Sequence, residues 1–216
     1  MPIERFFDED DIKTLIDMNA APPYGPRNAA LILAASYWGL TPFELTLLRL
    51  EDVMDASGEF FRIWTLPAHV AYTGEARELH TADHVLPILD EYMAWWNEKD
   101  LFGTALVRYR GRGPKAPFII NDKYAAYTLS GRPEKGYIAN SMNRKLKHLI
   151  ANTSIEGATP ATFRDSFIRM MYQAGCGYKE LMDITGIKQK ETIDKKVKPH
   201  TVELKKIYSN VFRNVL

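Results

Sequence analysis

The side chains whose type and spacing could do chemistry in this sequence are basic, and the chemistry they suit is the holding of phosphate. Arg164 lies in Thr159-Pro160-Ala161-Thr162-Phe163-Arg164, while Asn143, Arg144, Lys145 and Lys147 follow Ser141 closely. Lys188 and the run Lys195-Lys196-Val197-Lys198 come later. A guanidinium fork matches two phosphate oxygens, and Arg144 could also meet a guanine edge; the lysines would act as point charges. Each group has a plainer reading. The 141–150 face fits simple solvation, and Arg164 fits a buried arginine paired with an acid. Further basics, Arg108, Arg110, Arg112, Lys115, Arg132 and Lys135, are interleaved with Tyr109, Tyr124, Tyr127 and Tyr137, a mixture suited to backbone binding and occasional stacking.

The net charge of +1 conceals an asymmetry along the chain. Residues 1–100 hold 7 Lys/Arg against 18 Asp/Glu, residues 101–150 hold 10 against 2, and residues 151–216 hold 11 against 7. Such a distribution can raise a basic face for a polyanion, and the acidic first part points to a one-sided footprint. A length of 216 residues with 46% hydrophobic content supports one sizeable core, so a single domain over 1–216 is expected. The single cysteine, Cys176, excludes an internal disulfide. The acidic start MPIERFFDEDD is unlike a secretory signal, and no apolar run reaches the roughly 20 residues of a membrane span, so a cytoplasmic protein is expected. No metal or cofactor is implied.

Those basic side chains must be placed by the elements around them. An acidic first turn and apolar spacing predict a helix from Asp8 to Met18, broken by Pro22, Pro23 and Pro26. The stretch from Ala29 to Tyr37 is apolar all round and predicts a central helix ending at Gly39. Thr41-Pro42-Phe43-Glu44 carries cap, proline and capping-box glutamate for the next helix. Three short runs, 59–66, 70–72 and 76–80, predict a small three-stranded antiparallel sheet with Thr73-Gly74 as a turn. Helical spacing returns over 83–96, and residues 103–136 read as surface loops around Phe118-Ile119-Ile120. Helices follow at 141–150, from Thr159-Pro160 to Gly175, and from Tyr178 to Gly186. Leu204, Ile207, Tyr208, Val211, Phe212 and Val215 mark a C-terminal amphipathic helix within 201–216. The fold class is mainly α (α+β).

Two of these stretches, NAALILAASYWGLTPFELTLLRLEDV at 28–53 and TPATFRDSFIRMMYQAGCGYKELMDITG at 159–186, resemble the two signature blocks of the tyrosine recombinase (phage integrase) catalytic domain. The resemblance covers about residues 5–200 and implies that fold, without the separate N-terminal core-binding domain. It also implies six catalytic positions. The first arginine falls on Thr41, the hairpin lysine on Tyr72, the first histidine on Ala161, the second arginine on Arg164, the second histidine on Ile187 and the nucleophilic tyrosine on Lys196. Only Arg164 keeps the family's residue type. Arg77 matches a basic position often seen after the hairpin turn, although an exposed strand arginine is the plainer reading.

Losing one preorganised stabiliser of transition-state charge commonly costs ~10²–10³ in rate, so the expectation is a non-enzyme. The resemblance implies a double-stranded DNA partner contacted through Arg77, Arg144, Lys145, Lys147, Arg164, Lys188 and Lys196. The expected role is a transcriptional regulator, repressor-like, or a recombination accessory factor of a mobile element. Two rivals stay open. One is a divergent strand-exchange enzyme using Tyr208, although Tyr208 lies on the apolar stripe of the last helix. The other is an interaction module in which that helix makes a homo-oligomer.

Overall fold

In the computed structural model, residues 5–105, 107–132, 134 and 136–198 are described. The expected helix at 201–216, with Tyr208 in it, lies outside them, as does Lys135. Helix α1 (Glu9–Met18) starts at an Asp8 capping box and buries Ile12 and Leu15. Helix α2 (Gly25–Tyr37) is buried along most of its length, which explains its nearly unbroken apolar sequence. It packs against α1, α8 (Pro160–Gln173), α5 (Leu86–Glu98) and α3 (Pro42–Leu47). At its end Gly39 takes φ +59°, and a Cβ there would lie 2.3 Å from the Phe167 ring of α8. Only glycine suits both that conformation and that approach.

Thr41 caps α3 as its sequence predicts, with its hydroxyl accepting from Glu44 N–H at 3.2 Å. The chain turns out of α3 at Leu48 and re-enters a single turn, α4 (Leu50–Val53). Strand β1 (Ile63–Leu66) pairs antiparallel with β2 (Arg77–His80), Leu66 lying opposite Arg77. The expected third strand at 70–72 is absent. Val70 and Ala71 donate to the Pro67 carbonyl in a turn, and the apolar side chain of Val70 is used for core burial instead of pairing. A second hairpin, β3 (Ser130–Arg132) with β4 (Gly136–Ile138), emerges from the region read as loop. The turn α6 (Arg108–Gly111) has Tyr109 and Arg110 at positive φ. Helices α7 (Asn140–Ala151), α9 (Tyr178–Thr185) and α10 (Lys190–Val197) complete the described chain.

The main core runs from Phe7 to Phe163 and contains Trp38, Trp96, Tyr92 and Phe118 with almost no exposure. Trp38 packs edge-on to Trp64 at 5.1 Å between ring centroids, an arrangement favoured by the ring quadrupoles. A smaller cluster, Phe167, Ile168, Leu181, Ile193 and Val197, joins α8 to α9 and α10.

Candidate functional site

The β1–β2 hairpin tip, the start of α3, the middle of α8 and the α9–α10 connection meet around one open cavity of about 380 Å³. Thr41, Tyr72, Thr73, Arg164, Ile187 and Lys188 are among its lining residues. Four of the six positions singled out by resemblance, Thr41, Tyr72, Arg164 and Ile187, therefore converge in space although they span most of the chain. Gly186 makes the approach possible. It ends α9 in the left-handed conformation, φ +70°, and a Cβ there would lie 2.9 Å from the Thr73 hydroxyl.

Beneath the cavity lies a charge cluster that sequence reasoning missed. Glu44, fully buried, pairs with Arg77 at 2.6 Å and with Arg164 at 3.9 Å. Its two oxygens also accept from the backbone N–H groups of Tyr72 at 3.0 Å and Thr41 at 2.8 Å. Burial alone would raise the Glu44 carboxyl; the Arg77 hydrogen bond and the charges of Arg77 and Arg164 outweigh it and hold the carboxyl below its ordinary value. Burial pushes Arg164 downward, Glu44 opposes this and Arg77 adds to it. Arg164 also donates to the Thr185 carbonyl, and Arg77 to the Ile184 carbonyl at 2.9 Å. Both arginines thus tie the end of α9 to the body of the protein.

The reading of Arg77 as an exposed strand residue is corrected by this cluster, since its side chain is 3% exposed. Period-two alternation in Arg77-Glu78-Leu79-His80 puts Arg77 on the face of buried Leu79, and that was the available signal. Arg164 proves to be the buried arginine paired with an acid, with one edge on the cavity. Lys188 is exposed at the rim and bridges to Glu75 of the hairpin. Lys196 does not line the cavity; it reaches Asp165 on α8 at 2.8 Å. The cavity brings Arg164 and Lys188 together, with Arg77 behind them, and leaves Lys196 to one side.

The α7 residues form a separate group. Arg144 and Lys147 are exposed and make no ion pair among the described residues. Lys145 is instead largely covered, pairing with Asp122 at 3.1 Å beside Arg27, which meets the same carboxylate at 2.6 Å. Burial, then repulsion from Arg27, lowers the Lys145 ammonium, with Asp122 pulling back. Several loop basics serve the fold in the same way. Arg110 holds Asp90 at 2.6 Å, and Arg112, buried, donates to Asn97 at 2.7 Å. Arg108 and Lys115 remain exposed. Among the described residues, no group of three His, Cys, Asp or Glu could hold a metal ion, and no helix is long and apolar enough to cross a membrane.

Solved structures share this fold. XerA recombinase superposes with a TM-score of 0.68 over 97% of this chain at 17% identity. The fold is that of a tyrosine recombinase catalytic domain. XerH site-specific recombinase bound to palindromic difH substrate, in a post-cleavage complex, gives 0.61 over 94% at 14% identity. The Tn1549 transposon integrase in complex with transposon right end DNA gives 0.58 over 100% at 12% identity. The chain spans 65% of the XerA chain, 52% of the XerH chain and 68% of the Tn1549 integrase chain. No family model and no curated protein matches the sequence.

These neighbours correct the expectation of a non-enzyme. XerA and XerH are recombinases and the Tn1549 protein is an integrase, XerH being captured in a post-cleavage complex. The step from substituted side chains to absent catalysis fails because it tests residue types only at aligned positions. It leaves side chains at other positions untested.

Proposed function

We propose that the protein binds double-stranded DNA on one face, with Arg164 and Lys188 at the cavity and Arg144 and Lys147 on α7 meeting phosphates. The observation that carries this reading is the open cavity in which Arg164 is presented by a rigid buried carboxylate, on the fold that XerH and the Tn1549 integrase use with DNA. An arginine held on both sides by fixed partners is preorganised to accept an anion at its open edge. Lys145, already engaged with Asp122, contributes to the geometry of α7 instead of to the contact. The role we assign is occupancy of a DNA site as a regulator or as an accessory factor in recombination. Titrating a labelled duplex by fluorescence anisotropy at low and near-physiological salt tests it. Salt-sensitive binding, weakened by Arg144→Ala with Lys147→Ala, is the expected result, and no binding at low salt rejects it.

A second reading, strand exchange, is favoured by the post-cleavage state of XerH on its substrate. Tyr208 is the candidate nucleophile. Its phenol oxygen would bond to phosphorus as the phosphorus–oxygen bond to the deoxyribose hydroxyl breaks, the phenolic proton passing to that leaving oxygen. A nicked duplex incubated with the protein and run under denaturing conditions tests this: an adduct that disappears in Tyr208→Phe supports the reading, and an adduct that persists removes Tyr208 from it.

A further inference from the structure

Next to the Arg164 cavity, and sharing Thr41 and Tyr72 with it, lies a second cavity of about 320 Å³. Phe43, Tyr72, Tyr137 and Ile138 are among its lining residues, together with the small side chains Ala139 and Ala161. Ala161 occupies the position at which the resemblance expects a histidine, and its methyl group leaves this side of the cavity without a ring. Three large apolar side chains around this cavity are exposed, Tyr72 at 65%, Tyr137 at 50% and Ile138 at 54%. They come from two hairpins far apart in sequence, so chance exposure of a single loop does not explain their convergence.

The platform is built before anything binds. The Phe43 ring meets the Tyr72 ring at 5.7 Å and 75°, an edge contact that orients it, and the Tyr72 N–H is pinned by Glu44. Of the four tyrosines interleaved with the loop basics, Tyr124 packs against Trp95 and Tyr24, Tyr127 is buried and Tyr109 is half-buried. Tyr137 is the one left free to stack. The volume is at the small end for ligand sites and suits one planar ring system. Among the described residues neither cavity is lined by a carboxylate, and exposed Arg144 adjoins Asn143 of the lining. Asn143 spends one amide N–H on the Ala139 carbonyl at 3.1 Å, leaving its carbonyl oxygen and second N–H for a base edge.

We infer that this cavity takes a nucleobase displaced from the helical stack, so that the protein prefers DNA carrying an unpaired nucleotide beside the phosphate at Arg164. The inference rests on the DNA-binding reading and narrows its substrate class. A base inside an intact duplex has both faces covered by its neighbours and cannot stack on Tyr72 and Tyr137, whereas a bulged one unstacks at small cost and regains stacking there.

The test uses two duplexes of one sequence, one fully paired and one with 2-aminopurine as a single-nucleotide bulge, titrated by anisotropy and by 2-aminopurine fluorescence. The bulged duplex should bind about tenfold tighter, within what one base–aromatic stack is worth, with quenching of the bulged base. Tyr137→Ala should remove that preference while leaving paired-duplex affinity unchanged. Tyr72→Ala should remove it too, and Tyr72→Phe, which keeps the ring, should retain it. Equal affinity for the two duplexes in the wild type, or a preference that survives Tyr137→Ala, overturns the inference while the DNA-binding reading stands. Absence of binding to both duplexes overturns both. Self-association in light scattering that is lost in Tyr137→Ala, with no bulge preference, would assign the patch to protein contact and overturn it as well.

Discussion

Replacing Glu44 by glutamine is the sharpest probe of the site, because the substitution keeps size and shape and removes only the charge. In the wild type one carboxylate oxygen receives Arg77 and the Tyr72 N–H, and the other receives the Thr41 N–H with Arg164 nearby. Every neighbour of either oxygen is a donor. Whichever way the amide is placed, its NH₂ faces a donor, and two buried guanidinium groups lose their counter-charge. Breaking a buried ion pair by removing one partner costs about 3–5 kcal/mol, a large part of the stability of an ordinary domain. With a urea slope of about 2 kcal/mol per molar, the unfolding midpoint by circular dichroism should fall by roughly 1.5–2.5 M. The pH dependence has a definite sign. The folded carboxyl lies below its ordinary 4.5, so its contribution is complete above that pH and is lost as pH falls through the depressed folded value. The gap between wild type and variant should therefore narrow in acid. A midpoint shift smaller than about 0.5 M at pH 7, or a gap that widens in acid, would refute the cluster as described.

Other expectations follow from the same geometry. Arg144→Ala with Lys147→Ala should leave the thermal midpoint unchanged, because both side chains are exposed, and should lower the slope of log affinity against log salt by about 2. Lys145→Ala should instead destabilise, since Lys145 and Arg27 share Asp122, and differential scanning calorimetry separates the two cases. Gly39→Ala forces a positive φ and a clash with Phe167, and should cost roughly 1–3 kcal/mol in denaturant unfolding.

Much of the fold was legible because local chemistry and final structure agree. Thr41 and Thr159 carry cap signals that their helices use, the acidic first turn of α1 is where it was expected, and the all-apolar α2 is as central as its composition implied. The sheet was misjudged where two physical demands use the same residue types. Val70 looks like a strand residue, yet its branched side chain serves the core inside a turn. At the site, the positions named by resemblance, Thr41, Tyr72, Arg164 and Ile187, line one cavity, but no local signal joins Glu44 to Arg77, 33 residues away. The capping box already gave Glu44 a sufficient local role, which hid its long-range one. The basic loops misled for a related reason: charge on a sequence does not distinguish Arg112, folded into the interior, from Arg108, left in solvent.

The division between the two apolar clusters has a dynamic consequence for the cavity. One wall, the hairpin tip at Tyr72 and Thr73, is anchored to the main core, whereas the other, Gly186 to Gln189 with Thr192, hangs from the satellite cluster. Prising the walls apart breaks the links of Arg77 to Ile184, Arg164 to Thr185 and Lys188 to Glu75, and leaves the tryptophan-rich interior packed. Amide exchange should accordingly be slowest in α2 and fastest, as one unit, in α9 and α10. The outer wall of the cavity is thus held to the body of the protein mainly through the partners of the buried Glu44 cluster, Arg77 and Arg164, and not through the main core.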